Sequence, residues 1–99
     1  MARFDVHSLR DNGALVVICQ ADALGSLETC FVIPLMPRAD TRWSMPRLAP
    51  VVAIGNDEYV LAIPLAAAVP QTMLGPIVGS LAHEDLTILN AFDMLVSGI

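Results

Sequence analysis

The sequence predicts a small, mostly antiparallel β domain closed by one C-terminal helix, and three observations carry that prediction. Short runs rich in β-branched residues, such as "ALVVICQ" and "PVVAI", are set apart by turn-forming residues along most of the chain. Two of those turns, "DNG" at 11–13 and "GND" at 55–57, have the chemistry of tight hairpin connections. Only the last segment shifts from a two-residue to a 3.6-residue repeat of apolar positions. At 99 residues the chain has the size of one domain, expected to span 1–99.

In order, "ARFDVHSL" alternates, with Phe4, Val6 and Ser8 on one face and Arg3, Asp5 and His7 on the other, which predicts a half-buried first strand and a surface position for His7. The "DNG" turn leads into "ALVVICQ", the second strand. "ADALGSL" reads as a loop and "TCFVIPL" as the third strand. Pro34 cannot donate to a strand ladder, so it marks an edge, a bulge or the end of that strand. Residues 36–50, with three prolines, read as a long excursion. "PVVAI", "GND" and "EYVLAI" predict a second hairpin. "PLAAAVPQTMLGPIVGS" is punctuated too often for a long element, with "QTML" as one further short strand. In the final segment Leu86, Leu89, Phe92 and Val96 recur at helical spacing. They predict an amphipathic helix with Phe92 and Val96 in the core, Glu84 and Asp85 in its first turn, and Gly98 as its C-cap.

Composition narrows the function classes. The chain is 56% hydrophobic with a mean hydropathy of +0.66, so part of its apolar surface is expected to be buried against another chain. The longest uncharged stretch, Tyr59 to Ala82, is broken by Pro64, Pro70, Pro76 and Gln71, which excludes a spanning helix of about 20 apolar residues. No basic segment followed by an apolar one opens the chain, and a cytoplasmic, self-associating protein is expected. The net charge is −5, all five basic residues are arginine, and such a chain is a poor match to nucleic acid and a better one to a basic protein. Arg38, Arg42 and Arg47 beside Trp43 form the one cationic cluster, read as a solvated loop. Cys19 and Cys30 fit neither a CxxC pair nor a zinc set and read as buried apolar fillers.

Catalytic signatures are missing. No GxSxG surrounds any serine, "GPIVGS" lacks the lysine of a phosphate loop, and no HExxH or EF-hand spacing occurs. "HED" at 83–85 reads as a solvated first helical turn. No cofactor and no metal is expected, and the chain is expected not to be an enzyme. Asp93 and the Ile99 carboxylate lie toward the negative end of the helix dipole. The residues alone leave two readings open there: an ordinary helix end, which composition slightly favours, or an end awaiting a cationic partner with Ile99 as apolar anchor.

Several stretches in order resemble the CcdB toxins of plasmid and chromosomal toxin–antitoxin modules. They are "VICQAD" (17–22), "FVIPL" (31–35), "PVVAIG" (50–55), "AAAVP" (66–70), "LAHEDLTILNAFDM" (81–94) and the terminal "GI". The resemblance implies an SH3-like antiparallel β-barrel with a small β wing and a C-terminal α-helix, assembled as a homodimer. It implies a non-enzymatic poison that binds the DNA gyrase A subunit and traps the gyrase–DNA cleavage complex. It also implies a CcdA-like antitoxin whose disordered segment folds onto the toxin. Carried over position by position, the gyrase contacts map to Ala23, Leu24, Asp93, Val96, Ser97, Gly98 and Ile99. Ser97 stands where the best-known members carry a tryptophan that stacks on a gyrase arginine, and Asp93 where many carry asparagine. Two alternatives stand beside this reading: a MazF-like mRNA endoribonuclease on the same fold, and a diverged, non-toxic binding module.

Overall fold

A computed structural model describes residues 2–20, 27–40 and 48–98. It holds strands β1 (Asp5–Leu9), β2 (Leu15–Ile18), β3 (Thr29–Pro37), β4 (Val51–Ile54), β5 (Asp57–Leu61), β6 (Ala67–Pro70) and β7 (Leu74–Ser80), followed by helix α1 (Asp85–Ser97). All pairings are antiparallel, in the order β4–β5–β3–β2–β1–β7, with β6 added beside β3. The sheet curls until its ends approach. A Cβ placed on Gly79 of β7 would lie 3.4 Å from Ile54 Cγ2 at the end of β4. This curled antiparallel sheet with a C-terminal helix is the expected mainly β architecture.

Both predicted hairpins form where their turn residues stand. Gly13 (φ 72°) closes β1–β2 and Gly55 (φ 62°) closes β4–β5, and both lie in the left-handed region that a side chain disfavours. β3 is longer than predicted, running through Pro34 to Pro37. Its outer edge changes partner along the way, pairing β6 over Thr29–Val32 and β5 over Leu35–Pro37. The carbonyl of Pro34 accepts from Ala62 N–H on that outer side (3.0 Å), so the missing N–H of Pro34 falls in the gap between the two partners and no ladder bond is lost.

Three sequence expectations need correction. "QTML" is not a strand: Gln71–Met73 forms a 3-10 turn, and Leu74 opens β7, seven residues long. β7 lies at the end of the strand order, where Pro76 leaves no inner ladder bond unmade, and it pairs β1 with two register shifts. His7 is not on the surface but 6% exposed. Alternation along β1 points it to the second face of the sheet, which Val16, Ile18, Cys30, Val32 and Leu74 also make apolar. There Nδ1–H donates to the Gly75 carbonyl (2.9 Å), while Nε2 is buried without a hydrogen-bond partner among the described residues. Arg10 Nε, just past the end of β1, donates to the adjoining Leu74 carbonyl (2.8 Å), so side chains of β1 and the turn after it satisfy carbonyls that the irregular start of β7 leaves free.

The third correction concerns α1. Its core-facing residues are Ile88 and Ala91, which pack with Phe4, Val6, Val17, Ile33, Leu35, Val52, Leu61, Ile63 and Leu81. Phe92 is half-buried against that core, but Val96 is 82% exposed. The helix is apolar on two sides, so its repeat alone does not say which side meets the sheet. Phe4 itself sits just before β1 with φ 70°, buried, held by Phe4 N–H to the Ile18 carbonyl (2.6 Å) and by Leu81 N–H to its own carbonyl (2.8 Å).

Candidate functional site: the C-terminal end of the helix

α1 starts on one acidic residue, Asp85, and ends without a basic one, while Glu84, expected in the first turn, closes the 3-10 turn just before it. Asp85 Oδ1 accepts the backbone N–H of Leu86 (2.8 Å), and its charge complements the positive end of the helix dipole. At the other end Gly98 adopts φ 79° and its N–H donates to the Met94 carbonyl (3.0 Å), closing the helix with the expected left-handed cap. The last turn therefore has a defined shape, with no cation of its own to offset the dipole.

Four of the predicted contact residues gather on this end. Asp93, Val96, Ser97 and Gly98 are all exposed. Ser97 Oγ–H turns back to donate to the Asp93 backbone carbonyl (2.6 Å), which uses up the serine's donor. Ala23, Leu24 and Ile99 lie outside the described residues. So do Arg42, Trp43 and Arg47 of the cationic cluster. Arg38 is paired with Glu58 (3.0 Å), both side chains being 57% exposed, a contact worth less than about 1 kcal/mol. The surface at the helix end offers an apolar side chain, a carboxylate and the negative pole of a dipole. That arrangement attracts a cation with an apolar stem.

The other candidates for chemistry do not assemble. Among the described residues no three of His, Cys, Asp or Glu come together as a metal site. His83 lies exposed in the 3-10 turn Ala82–Glu84. The cysteines are free and lie on opposite faces of the sheet: Cys30 is the buried filler expected, within the second cluster, whereas Cys19, against the α1-side core, is only half-buried because it stands just past the end of β2. Burial pushes the Cys19 thiol up to about 12, with the neighbouring Cys30 adding to the rise and Arg3 opposing it, and burial raises Cys30 as well. At pH 8 only about one Cys19 in ten thousand is then thiolate. Native protein is expected to leave both thiols unlabelled by a disulfide reagent at pH 8 over minutes, while the unfolded chain reacts at both. Prompt labelling of either thiol in the native state would contradict this assignment. No helix is long and apolar enough among the described residues to cross a membrane.

Sequence reasoning missed two surfaces. One is a groove of about 360 Å3 on the second face of the sheet, lined by apolar residues including Leu9, Val16, Val32, Met36 and Val69. The other is the outer side of α1, where Leu86 is 69% and Leu89 43% exposed. Its signal is present in the sequence as the apolar stripe, which periodicity alone assigns to the core.

Comparison with known proteins follows the same lines. Over residues 3–98 the chain matches the family described as CcdB protein. In fold it is similar to the Mycobacterium tuberculosis toxin MazF-mt6, with a TM-score of 0.74 at 21% identity, covering 90% of this chain and 92% of that one. It is similar also to an endoribonuclease from a mycobacterial species (TM-score 0.73, 20% identity, 95% of this chain and 88% of that one). A third similar structure is a mycobacterial endoribonuclease in complex with its cognate antitoxin (TM-score 0.73, 19% identity, 95% and 92%). No curated protein matches the chain in sequence. A match over nearly the whole chain, on a curled β sheet with one C-terminal helix, places the protein: it belongs to the CcdB family, the toxins of toxin–antitoxin systems.

Proposed function

We propose that this toxin is a non-enzymatic poison of DNA gyrase, a single domain over 1–99 that acts as a homodimer in the cytoplasm. It binds the gyrase A subunit and holds the enzyme on cleaved DNA, making no direct contact with nucleic acid. The observation that carries this reading is the helix end. Asp93, Val96, Ser97 and Gly98 stand together in solvent at the position where the CcdB resemblance puts the gyrase contact. Ala23, Leu24 and Ile99 complete the proposed contact.

Ser97 sets the expected strength. A tryptophan at this position stacks on an arginine in the resembling toxins, and a cation–π contact is worth about 0.5–2 kcal/mol. Ser97→Trp is therefore expected to tighten binding to the purified breakage–reunion domain of gyrase A by about 2- to 30-fold in calorimetry. If neither the wild type nor Ser97→Trp binds that domain, the gyrase reading fails while the fold stands. A cognate antitoxin is the second proposed partner, of the CcdA-like kind that folds on binding. It is supported by the similar fold found in complex with an antitoxin.

The likeness of fold to mycobacterial endoribonucleases supports a second reading, cleavage of messenger RNA. Against it stand the net charge of −5 and the absence of lysine, since RNA-cleaving sites need cations to hold phosphates. Cleavage of a long RNA by the purified protein, lost on Arg42 or Arg47 substitution, would favour the endoribonuclease over the poison.

A further inference from the structure

α1 has an apolar stripe that nothing among the described residues covers. Leu86 (69% exposed), Leu89 (43%) and Val96 (82%) lie along its outer side, and Phe92 borders them, half-buried against the Phe31 ring at 5.9 Å. Their spacing is that of one helix face, so they form a ridge rather than scattered exposures. From Leu86 to Val96 the ridge is about 15 Å long at the usual helical rise. Ridges of this kind pack into the grooves of another helix, and three turns of a partner would match its length.

Charge narrows the partner. Asp93 lies within the ridge, between Leu89 and Val96, and Glu84 and Asp85 stand at its start. Residues 48–99 contain five carboxylate side chains, Asp57, Glu58, Glu84, Asp85 and Asp93, and not one lysine or arginine. A second copy of the chain packed ridge to ridge would bring two Asp93 carboxylates together with no lysine or arginine on either α1 to meet them. A helix with lysine or arginine beside its apolar face meets both the ridge and the carboxylates. The sheet groove, by contrast, is lined among the described residues by apolar side chains, with no charged or polar side chain to orient a ligand.

We propose that the outer stripe of α1, Leu86, Leu89, Phe92 and Val96 with Asp93, is a docking surface for a basic amphipathic helix from a different chain. The stripe shares Asp93 and Val96 with the proposed gyrase contact, but Leu86 and Leu89 lie outside it. The test needs no gyrase, so its failure leaves that reading untouched.

The probe is a fluorescent 18-residue peptide of leucine and lysine with leucines at i, i+3, i+4 and i+7, added to the full-length protein and followed by anisotropy. The controls are the same pattern with glutamate for lysine, and the leucine–lysine composition scrambled so that no apolar face forms. The basic amphipathic peptide is expected to bind, with the glutamate and scrambled peptides at least about tenfold weaker. The double variant Leu86→Gln/Leu89→Gln, altered only at exposed positions, is expected to keep the wild-type circular dichroism and thermal midpoint and to lose about tenfold or more in peptide affinity. Asp93→Asn is expected to weaken binding about threefold at low salt and hardly at all at high salt. Equal binding of either control peptide overturns the proposal, as does a double variant that binds like the wild type. Sedimentation gives a further overturning result: if the double variant turns a dimer into a monomer, the stripe belongs to a second copy.

Discussion

Ile88→Ala is expected to lower the stability of the folded chain by about 3 kcal/mol, whereas Leu86→Ala, two residues earlier on the same helix, is expected to cost less than about 1 kcal/mol. Ile88 is fully buried and packs into the cluster that joins α1 to Val6, Val17, Ile33, Leu61 and Ile63. Removing its side chain beyond Cβ leaves a void that the surrounding strands, already close-packed, fill only in part. Leu86 points outward, so truncating it changes little in the folded core. Urea unfolding of the two variants measures the difference directly. Equal losses would mean that α1 docks through the outer stripe rather than through Ile88 and Ala91. The contrast also guards the docking proposal, because it separates residues that hold the helix down from residues that face away.

Gly75→Ala is expected to cost about 1–3 kcal/mol, more than Gly13→Ala, although Gly13 has the less favourable backbone for a side chain. A Cβ at Gly75 would lie 2.7 Å from the Ser8 carbonyl oxygen and 3.1 Å from Ser8 Oγ. The nearer atom is backbone, held in the β1–β7 pairing, so the strands themselves must part. At Gly13 a Cβ meets nothing within 4 Å, and the cost there is only that of placing alanine at φ 72°. Gly75 is also the residue whose carbonyl binds His7 Nδ1, so separation of the strands strips the buried imidazole of its one partner among the described residues. The loss is expected to exceed that of a simple contact for this reason. Thermal unfolding of Gly75→Ala and Gly13→Ala, side by side, tests the ranking. A Gly75→Ala protein as stable as the wild type would show that β7 accommodates the methyl by sliding along β1.

Much of the architecture is legible in the sequence. The two hairpins follow from Gly13 and Gly55, each in a turn that demands positive φ between β-branched runs. The helix and its end follow from a change of period and from Gly98, whose cap uses the same left-handed conformation. The length of β3 is not legible, because Pro34 reads as a strand breaker until the neighbouring strands are known. It sits where β6 stops and β5 begins, and that gap is made by residues much further along the chain. β7 is obscured in the same way by Gly75, Pro76 and Gly79. A glycine that lets two backbones approach and a proline on an outer edge look locally like two breaks in a loop.

His7 and α1 share one cause. Alternation along β1 correctly places His7 opposite Val6, but a sheet with apolar residues on both faces buries both sides of the strand. Periodicity along α1 correctly finds a stripe, but a helix with two apolar sides has two stripes. Of the proposed contact, Asp93, Val96, Ser97 and Gly98 are supplied by the resemblance to CcdB toxins, and the fold brings them to one exposed helix end.

Local chemistry thus dictates turns, caps and the helix, because each depends on neighbours within a few positions. Packing alone decides which face of α1 meets the sheet, that His7 goes inside, and that Leu86, Leu89 and Val96 remain outside. Those outcomes depend on which distant strands lie alongside, and a period counted along one element carries no information about its neighbours.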